Sequence, residues 1–365
     1  MKIAIVHDWL NQKVGGAENV LFELAEMYPQ ADIYTIIYNS KKFDNHLKNR
    51  YVHKSWLQHL PGFIKKRPKL LLPFVKSAVT RWDFEPYDLV ISSSSAWVKN
   101  IIVPSKTRHI CYCHTPARML WDSWPGYIKD MHIGPILRFY LIRLASRLRL
   151  WDYYQSQGNI EFIANSHYIA GRISKFYHKS SKVIYPPVDT IHTAEALGNK
   201  KDYYLIVSVL SKYKNIDLAI KAFKINKKNL IIAGDGPEIE SLKSIAKGHS
   251  NIKFVGRVDE PTKAGLLQNA KGFIFCSIED FGIAMVESIA SGTPVIALKA
   301  GGALEIIKEG NTGMFFDEPN ATSLNEAIIK YEKGLGKQQK INNSYIFTEF
   351  SRAVFIKKIR EVVGE

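Results

Sequence analysis

The stretch from Gly272 to Gly302, GFIFCSIEDFGIAMVESIASGTPVIALKAGG, constrains this chain more than any other. Its apolar run Phe273 to Cys276 predicts a buried parallel strand. The run breaks at Ser277, and a helix is expected to begin near Phe281-Gly282. Glu279 falls in the loop and Glu287 in the helix, with seven residues between them. A helix N-terminus offers unpaired N–H groups and partial positive charge, which suits a phosphate, and Gly282 allows backbone to approach a ligand closely. The two carboxylates can then hold hydroxyls at the ends of a molecule whose middle is phosphate. A nucleotide sugar has that layout. The same residues also fit a plainer use, with Glu287 complementing the helix dipole and Glu279 solvated in its loop.

A chain of 365 residues can bury two cores. No run approaches the ~18 apolar residues of a membrane span. Met1 to Val6 reads as a strand leading into polar residues, not a signal peptide. Cys111, Cys113 and Cys276 are odd in number and lack zinc spacing, so they read as reduced thiols of a cytoplasmic protein. The net charge of +16 is uneven: residues 1–185 hold 26 Lys+Arg against 13 Asp+Glu, and residues 41–82 hold 11 basic residues and one acid, Asp44. Such asymmetry points to a polyanionic partner, nucleic acid or an anionic membrane. In 41–82 the charges are set among Leu60, Phe63, Ile64, Leu70, Leu71, Leu72 and Phe74, a mixture that suits a bilayer headgroup layer and also fits helices with snorkelling lysines. Docking through 41–82 is the expectation, with Arg138, Arg143, Arg147 and Arg149 adding to the basic face.

Strands are expected at Ile3–Val6, Tyr87–Ile91, His109–Cys113, Glu161–Asn165, Tyr204–Leu210, Leu230–Ala233 and Ile252–Val255, alternating with helices. Polar residues gather at their carboxyl ends, where doubly wound sheets bind ligands. His7-Asp8-Trp9 follows the first strand, and Gly15-Gly16 opens a helix bearing Leu21, Leu24, Ala25 and Tyr28 on one face. The two glycines serve a tight turn or a phosphate. His114 ends its strand before Pro116, where it satisfies a backbone group or meets a ligand. Gly234-Asp235-Gly236-Pro237 reads as a structural turn. No Asp-x-Asp metal motif is present; the nearest is Asp83-Phe84-Glu85.

The 272–302 stretch resembles the E-x7-E signature of the retaining glycosyltransferases of family 4. The resemblance runs along nearly the whole chain, through HDWL at 7–10, CYCHTPARMLWD at 111–122, YPPVDT at 185–190, Gly292 to Ala297 and Gly301-Gly302. It implies an α/β protein of GT-B fold: two Rossmann-like, doubly wound parallel-sheet domains facing a central cleft. The N-terminal acceptor- and membrane-facing domain would span 1–187 and the nucleotide-sugar-binding domain 202–345. A C-terminal helix, 346–365, would return to the first domain, with Phe355, Ile359, Val362 and Val363 on one face. The resemblance places Glu279 and His114 at the donor sugar and Glu287 on the ribose. Gly15, Gly16, Lys214, Phe281, Gly282 and Ile283 would surround the phosphates, and Arg257 would border the base. Asp8, Trp9, Arg118, Trp121 and Asp122 would line the acceptor side. The family usually carries an Arg five residues before the Lys that matches Lys214; here it is Val209, and Lys212 is expected to substitute for it.

The function implied is metal-independent, retaining hexosyl transfer without a cofactor. GDP-mannose is the expected donor and a polyprenyl-diphosphate-linked glycan the acceptor, in bacterial surface-polysaccharide assembly on the inner face of the cell membrane. Cations and helix N-termini would stabilise the leaving diphosphate. A UDP-hexose donor and a nucleotide-sugar epimerase are the alternatives. A nucleic-acid binder has only the charge in its favour, with no zinc, helix-turn-helix or aromatic single-strand signature.

Overall fold

The computed structural model describes residues 1–11, 15–47, 50–65, 68–122, 134–188, 200–337 and 341–365. They form two compact units, Met1–Ile184 and Tyr185–Glu365. Each is built on one wholly parallel sheet covered by helices, the Rossmann-like arrangement that the alternating sequence pattern predicts.

In the first unit the strands are β1 (Ile3–Leu10), β2 (Asp32–Tyr38), β3 (Val52–Lys54), β4 (Leu89–Ser94), β5 (Arg108–Cys113), β6 (Ile160–Ala164) and β7 (Ser181–Val183). Their order across the sheet is β3-β2-β1-β4-β5-β6-β7. Strands buried on both faces read as unbroken apolar runs, and Ala4, Ile5, Val6 and Val90 are fully buried. β1 runs four residues further than expected, because Trp9 and Leu10 still pair with Ile37 and Tyr38 of β2. His7 and Asp8 therefore lie inside the strand, and His7 is in register with Ser93 of β4. Residues 41–82 do contain a strand, the short edge strand β3, beside short helices at Ser40–Phe43, Gly62–Lys65, Pro68–Leu71 and Val75–Val79.

The second unit has β8 (Tyr204–Val207), β9 (Leu230–Ala233), β10 (Ile252–Gly256), β11 (Gly272–Phe275), β12 (Val295–Leu298) and β13 (Gly313–Phe316), in the order β10-β9-β8-β11-β12-β13. Phe223, Phe273, Met285 and Ile328 fill its core with essentially no exposure. The last helix, Arg352–Val363, buries Phe355, Ile359, Val362 and Val363, the face read from its spacing. In both sheets the strand order reverses at one place, between β1 and β4 and between β8 and β11. Beyond the carboxyl ends of strands at such a reversal, neighbouring loops diverge and leave a crevice.

Candidate functional site

The second unit's crevice is built by three loops. After β8 comes a single turn, Lys212–Lys214, and Asn215 in left-handed backbone at φ 51° opens the helix Ile216–Asn226. After β11 the chain runs through Ser277 and Glu279 to Gly282, whose φ of 104° turns it into the helix Ile283–Ala290. A side chain at Gly282 would be strained by that backbone alone. The third loop carries Gly301-Gly302. A Cβ on Gly301 would overlap the carbonyl oxygen of Glu279, and one on Gly302 that of Phe281. Gly302 N–H donates to the Glu279 carbonyl at 2.9 Å, so the glycine pair clasps the glutamate loop from behind.

Across this crevice Lys214 Nζ forms an ion pair with Glu279 Oε1, which also accepts from Ser277 Oγ at 3.2 Å. Asn215 Nδ2 ties the lysine's turn to the Cys276 carbonyl at 3.3 Å. Lys214 and Ser277 line a small hollow with Val207, Ser208, Phe275 and Cys276. Glu287 lies in the second turn of its helix, with no acid in the first, and Lys263 Nζ donates to it at 3.0 Å. Lys263 also pairs with Glu260 at 2.7 Å. Burial disfavours charge on Lys263, yet Glu287 and Glu260 outweigh it and hold its pKa above the usual lysine value. Lys212 and Arg257 are exposed, and Val209 is 54% exposed at the mouth of the same loop. Phe281 does not present its ring to the crevice: it is buried, stacked on Tyr185 and packed against Phe350, which leaves its backbone as the part available to a ligand.

The first unit's crevice holds a buried polar chain. His7 Nδ1 meets Ser93 Oγ at 3.0 Å, and the same hydroxyl meets His114 Nε2 at 2.8 Å. Glu18 Oε1 lies 4.0 Å from His7 Nε2, while Glu18 Oε2 accepts from the Gly15 N–H at 2.9 Å, where Gly15 caps the helix Gly16–Met27. Burial raises the Glu18 pKa, but hydrogen bonding and charge from His7 and Gly15 outweigh it and leave it below the usual range. Burial pushes His114 down to about 3, so its imidazole is neutral near pH 7. Asp8 is turned inward, accepting the backbone N–H groups of Ser95, Ala96, Trp97 and Val98 at 2.5–3.0 Å. Its four acceptor positions are taken, and it works on the loop after β4.

Trp9 packs on the core. Trp121 Nε1–H donates to Asp152 Oδ2 at 2.8 Å, with its ring stacked on Phe176. Asp152 is fully buried and also takes Lys99 Nζ at 2.9 Å, Asn100 Nδ2 at 2.9 Å and Tyr177 Oη at 2.9 Å. Asp122 pairs with Arg172, and Arg118 begins the short helix Arg118–Trp121. The loop carrying His114 to Asp122 is thus held from below by a buried ion pair that the sequence did not disclose. Lys99 and Asp152 are 53 residues apart along the chain, with nothing local to link them.

The basic stretch 41–82 divides its apolar side chains between core and surface. Leu71 and Leu72 are buried, and Leu60 and Ile64 pack against the core, because the short helices here pack on one face of the sheet with Ala4, Val6, Ile36 and Val90. Phe63, Leu70 and Phe74 are left exposed at 64, 45 and 42%. Lys65 Nζ donates to the Gln58 carbonyl at 2.9 Å. Lys66, Arg67 and the side chain of Lys69 lie outside the described residues, as does Asp189. Among the described residues no helix is long and apolar enough to cross a membrane, and no group of three His, Cys, Asp or Glu side chains is placed to hold a metal.

Family models described as Glycosyltransferase Family 4 and Glycosyl transferases group 1 match residues 14–192 and 187–345. The alpha-1,3/1,6-mannosyltransferase ALG2 of Rhizomucor pusillus is 23% identical, over 100% of this chain and 92% of its own. The D-rhamnosyltransferase WbpZ of Pseudomonas aeruginosa is 25% identical over 88% and 83%. Among solved structures, Anabaena Alr3699/HepE in complex with UDP superposes with a TM-score of 0.72 at 20% identity, over 100% of both chains. WaaG, a glycosyltransferase involved in lipopolysaccharide biosynthesis, superposes at 0.69 and 15% identity over 99% and 100%. These superpositions share the GT-B fold.

Proposed function

The chain belongs to the family 4 glycosyltransferases, and from that premise we propose that it moves mannose from GDP-mannose to a polyprenyl-diphosphate-linked glycan, with retention, in surface-polysaccharide assembly. The observation that carries this reading is the Lys214–Glu279 pair at the β8–β11 reversal, beside the left-handed turn at Gly282. A cation, a carboxylate and free helix N–H groups converge there, as a diphosphate bonded to a sugar requires. Mannose is supported by the names of the ALG2 relatives.

In this reading Glu287 binds ribose hydroxyls, Glu279 holds sugar hydroxyls, and Lys214, Lys212 and the Gly282 and Ile283 N–H groups receive the diphosphate. Gly15 and Gly16 are the phosphate-contacting glycines of the first unit in this reading. As the anomeric C–O bond to the diphosphate breaks, the acceptor hydroxyl attacks the same face. Its proton passes to the leaving phosphate oxygen, so no protein base is needed. His114, neutral near pH 7, stabilises the developing positive charge as a dipole rather than as an acid. Arg118, Trp121 and Asp122 face the acceptor, which is drawn from the inner leaflet of the cell membrane.

A UDP-hexose donor is the second reading, favoured by the UDP complexes of the HepE fold relative. Thermal shift with GDP and UDP separates the two: stabilisation by GDP alone supports the first, by UDP alone the second. Stabilisation by neither would overturn the nucleotide-sugar reading. Incubation with donor alone removes the epimerase alternative, because only an epimerase converts the sugar without an acceptor.

A further inference from the structure

The helix Pro135–Ser156 is fixed to its domain through Leu141, Ala145, Leu148 and Trp151, buried along one side at helical spacing. Its opposite side is not the polar face that such a helix ordinarily turns to water. Ile136 and Phe139 are 86 and 60% exposed there, Leu150 continues the stripe at 57%, and Tyr140 and Ile142 flank it at 55 and 42%. Arg138, Arg143 and Arg147 stand among them, all exposed, and residues 134–151 hold four arginines and no Asp or Glu. The Arg143 guanidinium lies 4.9 Å over the Phe139 ring, so charge and apolar surface form one patch.

Large side chains exposed at this density mark an interaction surface, and the arginines state its chemistry. We infer that the first turns of this helix seat the protein in the headgroup layer of an anionic membrane. Ile136, Phe139 and Ile142 enter the acyl boundary, and Arg143 and Arg147 meet lipid phosphates. A second copy of the chain fits less well, since pairing the faces would set arginine against arginine. The inference rests on the membrane-borne acceptor proposed above. It also moves the main apolar contact away from residues 60–74, most of whose apolar side chains the core has taken.

All three cysteines are buried, so a single Tyr140→Cys carries an environment-sensitive fluorophore selectively. The labelled full chain is mixed with vesicles of phosphatidylcholine alone or with phosphatidylglycerol added. The inference predicts a blue shift with the anionic vesicles that outlasts moderate salt. Ile136→Ser with Ile142→Ser should weaken vesicle binding about tenfold or more, with transfer to a short soluble acceptor retained. No shift, equal sedimentation of the double variant, or loss of self-association in place of vesicle binding would overturn it. Vesicle binding needs no sugar donor, so failure of the glycosyl-transfer reading would appear separately, as absent transfer by a chain that still binds vesicles.

Discussion

At the residue scale, the proposed function divides the donor between the two glutamates. Glu287→Ala should weaken nucleotide binding by about tenfold to a hundredfold, since a hydrogen bond to a charged group contributes ~1.5–3 kcal/mol. Glu279→Ala should leave binding of the bare nucleotide diphosphate near normal and abolish transfer. Calorimetric titration with GDP checks both; parent-like binding by Glu287→Ala would remove glutamate from the ribose. Ser93 bridges His7 and His114, so Ser93→Ala unties the His114 ring without touching its charge. A fall of about tenfold in kcat with the donor KM unchanged is expected, the signature of a contact made in the transition state. Glu279 and Glu287 were legible because seven residues separate them around one helix start, and Lys214 through the family resemblance, since it meets Glu279 only across 65 residues of sequence. Ser93 and Lys263 were not. His7 and Ser93 meet across 86 residues of sequence and Lys263 reaches Glu287 from a neighbouring helix, pairings that exist only once the sheet is wound.

At the scale of elements, parallel strands were legible because burial on both faces demands apolar runs, and their carboxyl ends were marked by Ser, His and Gly. The edge strand β3 escaped notice because three residues with a basic end carry no such run. The loop after β8 tests how this chain replaces the family's arginine. Val209 is exposed, so Val209→Arg meets no steric penalty and should be neutral or stimulatory in a transfer assay. Lys212→Ala and Lys214→Ala should each cost much of the rate, and an unchanged rate in Lys212→Ala would leave Lys214 as the cation on its own. The glycine clasp is a structural counterpart. Gly302→Ala places a methyl on the Phe281 carbonyl and should lower the melting temperature, with loss of donor binding following from displacement of the Glu279 loop.

For the whole molecule, stability should fall on the acid side of neutrality. His109 and His114 are buried and hold pKa values of about 3, against 6.5 for a free histidine. Between those values the unfolded chain binds protons that the folded chain refuses, so stability is lost as pH falls from 6.5 toward 3. Each histidine contributes up to about 1.4 kcal/mol per pH unit. Denaturant midpoints across that range should show the slope, and His109→Phe should flatten it; an unchanged slope would mean that His109 titrates in the fold. The two-sheet architecture was legible because strand and helix alternate over most of the chain, although β2, β3, β7, β12 and β13 were not among the strands expected. The exposed apolar side of the helix Pro135–Ser156 was not legible, since Leu141 and Leu148 in the core and Ile136 and Ile142 outside are alike in sequence. Glycosyl transfer from a nucleotide sugar is measured with labelled GDP-mannose and a polyprenyl-diphosphate-linked glycan. Label should enter the solvent-extractable lipid in an α linkage, only when the acceptor is present and not with Glu279→Ala. Transfer from neither GDP- nor UDP-sugars, or conversion of the donor sugar without acceptor, would contradict a glycosyltransferase.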